Sequence, residues 1–217
     1  MNGNQPTKKP PLWGLGYLLS RYWRMLFAVL AFVGLAAMVF VISDRYAAKT
    51  ATGFLNLQDY QFTLTDQSGA PTGPDRFAGR PLALFFGFTY CPDICPTTLT
   101  MLAAARDQLA AGGIDMSALT IAFLTVDPER DTPQKLGEYL SLFDLDVVGL
   151  TGDQADVRAV LKQFGIYAKK VAHGDGDYLY DHSAAVYLYR ADGQFKGTIV
   201  HNEPPEFISE KLTLLMR

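Results

Sequence analysis

The sequence predicts an α/β fold, a central sheet flanked by helices, preceded by one N-terminal transmembrane helix. Three observations carry this. The run Met25 to Ser43 (MLFAVLAFVGLAAMVFVIS) contains no charged residue. Two further runs, PLALFFGF (Pro81 to Phe88) and LTIAFLTV (Leu119 to Val126), are apolar almost throughout, as strands buried on both faces are. Strand-like and helix-like runs then alternate to the C-terminus, the pattern of a sheet covered by helices.

The 19 residues of the first run reach roughly 28 Å as a helix at ~1.5 Å per residue, about the thickness of a bilayer's hydrocarbon core. A secretory leader is usually shorter and ends in a small-residue cleavage site, so the run reads as a retained anchor. Every Asp and Glu follows residue 43, whereas Lys8, Lys9, Arg21 and Arg24 precede it, with Tyr17, Tyr22 and Trp23 at the interface. The positive-inside rule keeps residues 1–24 in the cytoplasm. Residues 25–43 then form a single-pass anchor in the inner (cytoplasmic) membrane, and the acidic remainder lies in the periplasm or an equivalent extracytoplasmic space. Residues 44–55 are small and weakly patterned and read as a linker. Residues 56–217 are long enough for one domain with a substantial core. The chain has 19 basic and 22 acidic residues, a balance that gives no sign of nucleic-acid binding.

Within that domain, Gln61 to Gly69 alternates and ends in a glycine turn, a short hairpin candidate. PTTLTMLAAARDQLAAGG reads as a helix with Pro96 in first position and Gly112-Gly113 as its stop. DTPQKLGEYLSLF reads as a second helix with Asp131 as N-cap and Pro133 in the first turn. QADVRAVLKQFG is a third, ended by Gly165. AAVYLYRADGQFKGTIV reads as a β-hairpin turning at Asp192-Gly193, and PPEFISEKLTLL as a closing helix.

The stretch FFGFTYCPDICPTTLTML holds Cys91 and Cys95, the only two cysteines of the chain. They fall in the loop after a buried strand and at the start of a helix. Unpaired N–H groups and the helix dipole there favour an anion, so Cys95, near the N-cap, is expected to have a lowered thiol pKa. Four readings remain open: two buried hydrophobes, a structural disulfide, a redox couple and a metal site. Pro92 and Pro96 place the pair in a turn and disfavour the first. A disulfide closing so short a loop constrains the unfolded chain little. The three-residue gap differs from the two-residue gap of the usual thioredoxin-type motif.

Three histidines could complete a metal site. His173 lies among glycines in AHGDGD and reads as a solvated loop residue. His201, in HNEPPEF, reads as a surface or capping group. His182, beside Asp181 and just before a strong strand, is open between ligand and structural histidine. Two thiolates and one imidazole form a soft donor set that suits copper, Cu(I) especially; a structural zinc site would want four protein ligands.

FGFTYCPDICPTTL (87 to 99), TVDPERDTP (125 to 133) and YLYDHSAAVYLYRADG (178 to 193), in that order, closely resemble the Sco/SenC proteins, the copper-binding assembly factors of cytochrome c oxidase. The resemblance implies a thioredoxin-like domain whose copper ligands are Cys91, Cys95 and His182, with Cu(I) and also Cu(II) as the ion. It implies a metallochaperone working toward the CuA centre, with the copper-receiving oxidase subunit and the membrane as partners. Asp127 and Arg130 are expected to pair and shape the site without a catalytic role. The competing class is a thiol–disulfide oxidoreductase, with Cys91 and Cys95 as its redox-active pair, that reduces oxidase cysteines before metallation. A thiol peroxidase ranks below both.

Overall fold

A computed structural model describes residues 13–50, 56–174 and 176–217. The chain divides into two compact units, one running up to Gly53 and one from Phe54 to Arg217.

The first unit contains α1 (Trp13–Thr50), 38 residues long. Its segment Tyr22–Val41 has a mean hydropathy of 2.4 and every side chain in it is exposed. From Met25 onward this segment has no charged side chain, and a helix apolar all round needs an apolar surrounding, which a bilayer provides. The helix continues beyond the expected span at both ends. Residues 13–24, expected as a tail, and 44–50, expected as linker, are helical, because DRYAAKT contains no glycine or proline to stop the helix. Residues 1–12 and 51–55 of the expected tail and linker lie outside the described residues.

The second unit runs β1 (Leu64–Asp66), β2 (Pro71–Thr72), β3 (Leu82–Gly87), α2 (Ile94–Ala111), β4 (Thr120–Thr125), α3 (Pro133–Leu140), β5 (Val147–Thr151), α4 (Gln154–Gln163), β6 (Ala168–His173), β7 (Asp177–His182), β8 (Val186–Tyr189), β9 (Phe195–Ile199) and α5 (Pro205–Leu215). Seven strands form one mixed sheet in the order β2-β1-β5-β4-β3-β8-β9; β6 and β7 form a separate two-stranded sheet. The three central strands are parallel, with Phe85 opposite Phe123 and Phe123 opposite Gly149. β8 runs antiparallel to β3, and β9 antiparallel to β8.

The apolar runs are uninterrupted because successive residues serve opposite faces. Ala83, Phe85, Ile121 and Phe123 pack with Leu99 and Leu102 of α2, Leu136 and Leu140 of α3, and Ile208 and Leu212 of α5. Leu82, Leu84, Phe86, Ala122 and Leu124 pack on the other face with Val157, Val160 and Leu161 of α4. Each fully buried Leu or Phe contributes about 1.5–3 kcal/mol, so these two layers hold the central strands rigidly.

Three features differ from expectation. Helix α2 starts at Ile94, which makes Cys95 its second residue and Pro96 its third, still within the turn that needs no N–H from proline. Thr132, not Asp131, caps α3: its side chain accepts the Lys135 N–H at 3.3 Å, and Pro133 follows in the first turn. Strand β5 and the β6–β7 hairpin are additional to the expected elements. His173, expected in a loop, ends β6 opposite Asp177, and His182 ends β7 opposite Ala168.

Candidate metal and thiol centre

The C-terminal ends of parallel strands are where α/β sheets bind ligands, and both cysteines are held there. One buried residue, Asp131, joins the three strand ends. Asp131 accepts the Thr89 N–H at 3.1 Å and the Thr89 hydroxyl at 2.6 Å, after β3. It accepts the Thr125 hydroxyl at 2.5 Å, at the end of β4, while its own carbonyl accepts the Thr151 hydroxyl at 2.7 Å, at the end of β5. Asp131 is fully buried. Burial raises its carboxyl pKa, and the threonine bonds only partly offset this.

The turn from Phe88 to Asp93 is closed by the Cys91 N–H on the Phe88 carbonyl at 3.2 Å. Cys91 is half-buried, whereas Cys95 is 0% exposed. The Cys95 N–H donates to the Cys91 sulfur at 3.3 Å, which aims a first-turn donor of α2 at that atom. The Cys91 thiol is lowered to about 4, first by its hydrogen bond with the Cys95 side chain, with burial opposing, and further by the N–H groups of Cys95 and Asp93. The bond with Cys91, burial and the Cys91 charge all push Cys95 upward. Cys91 is therefore the more acidic thiol of the pair, and its sulfur is the one that receives the helix N–H. This corrects the expectation for Cys95: being on the helix start places its N–H, not its sulfur, where the anion is stabilised.

His182 completes the group from the hairpin. Its Nδ1 lies 3.0 Å from the Ser183 carbonyl, and a carbonyl can only accept, so Nδ1 carries the proton. In the neutral ring Nε2 then presents a lone pair, and it faces the Cys95 sulfur at 4.0 Å. Phe88 meets the imidazole edge-on at a centroid distance of 5.7 Å and fixes its plane.

Among the described residues no three His, Cys, Asp or Glu side chains are drawn together into a formed metal cage. The donor set nevertheless fits a soft ion. At bond lengths of ~2.3 Å to sulfur and ~2.0 Å to nitrogen, the values for zinc, one ion can bridge donors up to roughly 4.3 Å apart. The 4.0 Å between Cys95 and His182 lies within that limit.

Gly87 leaves the room this arrangement uses. A methyl group there would stand 2.9 Å from the Cys95 sulfur and 2.7 Å from the Phe123 ring. Gly87→Ala is expected to cost about 1–3 kcal/mol and displace the sulfur, seen as a lower urea midpoint and weaker metal retention. An unchanged midpoint would mean slack beside Cys95.

Neither His173 nor His201 is a hydrogen-bond partner of either thiol among the described residues. His173 is exposed at the hairpin tip and His201 follows β9 in a turn. Asp127 and Arg130 do form the expected ion pair. Sequence reasoning missed the Thr89–Thr125–Asp131 network, the Ser183 carbonyl that sets the imidazole tautomer, and two tyrosines, Tyr90 and Tyr178, that contact Arg130. The motif TVDPERDTP contains the acidic members of this group but gives no sign of the tyrosines.

The family model described as SCO1/SenC matches residues 51–217. Protein SenC of Rhodobacter capsulatus is 34% identical over 190 residues, covering 85% of each chain. The structure of Bradyrhizobium japonicum ScoI with copper bound superposes with a TM-score of 0.64 at 39% identity, covering 71% of this chain and 96% of that one. BsSco, a member of the Sco family of cytochrome c oxidase assembly proteins in which a disulfide switch was identified, gives a TM-score of 0.59 at 26% identity, covering 76% of this chain and 96% of that one. The match spans the whole second unit, including the β3–α2 junction and the hairpin that bring the thiols and the imidazole together: this chain belongs to the SCO1/SenC family.

Proposed function

We propose that the protein is a membrane-anchored copper metallochaperone that carries copper on Cys91, Cys95 and His182 and passes it to the CuA-bearing subunit of cytochrome c oxidase. The observation that carries this is the imidazole lone pair of His182 facing the Cys95 sulfur at 4.0 Å, with the Cys91 thiolate beside them. The copper bound to the Bradyrhizobium relative supports the choice of ion. So does the donor set, since two thiolates and an imidazole favour Cu(I).

The three donors differ in access, which suits a carrier. Cys91 is half-buried on an outer turn, where an incoming thiolate of a recipient can replace it by ligand exchange. Cys95 is enclosed and releases last. The apolar run Met25 to Ser43 of α1 keeps the domain at the membrane, and with four cationic side chains before that run the domain faces the periplasm.

The second reading, a thiol–disulfide oxidoreductase acting on oxidase cysteines before metallation, draws on a different observation. A partly accessible thiolate beside a buried protonated thiol is the arrangement of an attacking and a resolving cysteine.

Anaerobic Cu(I) titration of the reduced full-length protein in detergent separates the two. One copper per chain is expected, weakened by each of Cys91→Ser, Cys95→Ser and His182→Ala. Absence of specific copper binding, together with catalytic turnover of a disulfide substrate by copper-free protein, would replace the carrier with the oxidoreductase.

A further inference from the structure

The hairpin that carries His182 shares no backbone ladder with the seven-stranded sheet. Its placement against the cysteines depends on the short link from His182 to β8, which starts at Val186, and on side chains. Near the base, Phe88 meets both Tyr180 and His182. Ala168, Leu179 and Tyr180 also pack on the second core layer, and the polar part of the attachment gathers around one cation.

Arg130 lies in the loop between β4 and α3, with its side chain 15% exposed. Its Nε pairs with a carboxylate oxygen of Asp127, which is fully buried. Its Nη1 donates to Asp177 at 3.0 Å, the first residue of β7. The guanidinium carbon stands 3.7 Å from the ring centroid of Tyr178 on the same strand. It also stands 4.4 Å from the ring centroid of Tyr90, the residue that precedes Cys91. The Tyr178 hydroxyl donates to the second Asp127 oxygen at 3.0 Å, which closes the group. Lys170 of β6 covers the Tyr178 ring at 3.7 Å and pairs with Glu129 at 2.6 Å.

One planar cation thus touches the turn that bears Cys91 and the strand that bears His182, and is itself fixed to the rigid end of β4. A guanidinium does this with a fork and a flat face; an ammonium has neither. We propose that Arg130 is the positioning residue of the centre, setting the approach of the His182 imidazole to the thiols by holding Tyr90 and Tyr178 on a common support. This rests on the assignment of Cys91, Cys95 and His182 as copper donors.

The test is a double-mutant cycle in the full-length reduced protein, with Cu(I) affinity measured by chelator competition and amide exchange measured without metal. Arg130→Ala is expected to weaken Cu(I) binding by about 10–100-fold, the range for groups that orient metal ligands. In a His182→Ala background the same substitution should add nothing, since no imidazole remains to be placed. In metal-free protein the amides of β6 and β7 should exchange faster while those of β3 and β4 keep their rates. Arg130→Lys should not rescue affinity.

Additive losses in the double variant would overturn the proposal, because Arg130 would then act independently of His182. Unchanged affinity in Arg130→Ala would do so too. Should Arg130→Ala accelerate exchange in β3 and β4 as well, Tyr178→Leu, which keeps the Asp127–Arg130 pair, takes its place in the same cycle under the same criteria. The two levels separate cleanly. Copper loss in His182→Ala without loss in Arg130→Ala removes the positioning role alone, and no loss in either removes the donor assignment.

Discussion

The Asp131→Ala variant is expected to lose about 2–4 kcal/mol of stability, since each buried donor left without its partner costs ~1–3 kcal/mol. The losses are the Thr89 N–H, the Thr89 hydroxyl and the Thr125 hydroxyl, the last of these fully buried. For a domain of this size the melting temperature should fall by roughly 5–15 °C. Asp131→Asn separates hydrogen bonding from charge, because the amide can accept one threonine donor and donate to a hydroxyl oxygen. The pH dependence follows from the raised carboxyl. With its pKa higher in the folded state than in the unfolded state, the folded chain holds that proton more tightly. This group's contribution is therefore fully present below the unfolded pKa and is lost as pH rises through the folded one. Asp131→Asn should remove that increment, so denaturant midpoints measured across the acid range should change less with pH than in the parent. A parallel curve would show that Asp131 titrates as it does in the unfolded chain.

Oxidation of Cys91 and Cys95 to a disulfide is expected to weaken copper binding by more than about a hundredfold. Disturbing only the groups that orient metal ligands costs ~10–100-fold, and oxidation removes two donors outright, leaving the imidazole. The Cys95 N–H already reaches the Cys91 sulfur at 3.3 Å and Cys91 is the more acidic thiol, so the pair is set up for oxidation. Chelator competition before oxidation, after it, and after re-reduction measures the effect, with affinity returning on reduction. Equal affinity in the two redox states would show that the thiols are not the metal donors.

What the sequence disclosed follows from how each segment is buried. β3 and β4 were legible because both faces are covered, which leaves unbroken apolar runs such as LALFF. The β6–β7 hairpin was not, because AKKVAH is exposed at nearly every position and so carries no core periodicity. β5 was missed because Gly149 interrupts a five-residue strand; the glycine is needed where a methyl group would stand 2.6 Å from Leu140. Asp131 was misread as a cap because Asp and Thr at successive positions before Pro133 are both capping residues. Only the tertiary fold shows that Asp131 turns inward to the strand ends. The cysteine pair was visible through its spacing, but the residues alone left His182 open. Its assignment as a ligand came from the resemblance alone, since nothing local distinguishes an imidazole that faces a sulfur 87 positions away from one that serves the core.

That separation of 87 residues between Cys95 and His182 also orders the birth of the centre. The dithiol is a local structure, complete once β3 and the first turn of α2 have formed. The imidazole arrives only after β4, α3, β5 and α4 have been laid down and the hairpin has docked, a long-range closure that comes late in folding. A chain that stalls before that step has two thiols and no third donor. On the proposed donor set, full copper affinity is thereby reserved for a molecule whose parallel strands are in place and whose hairpin has docked.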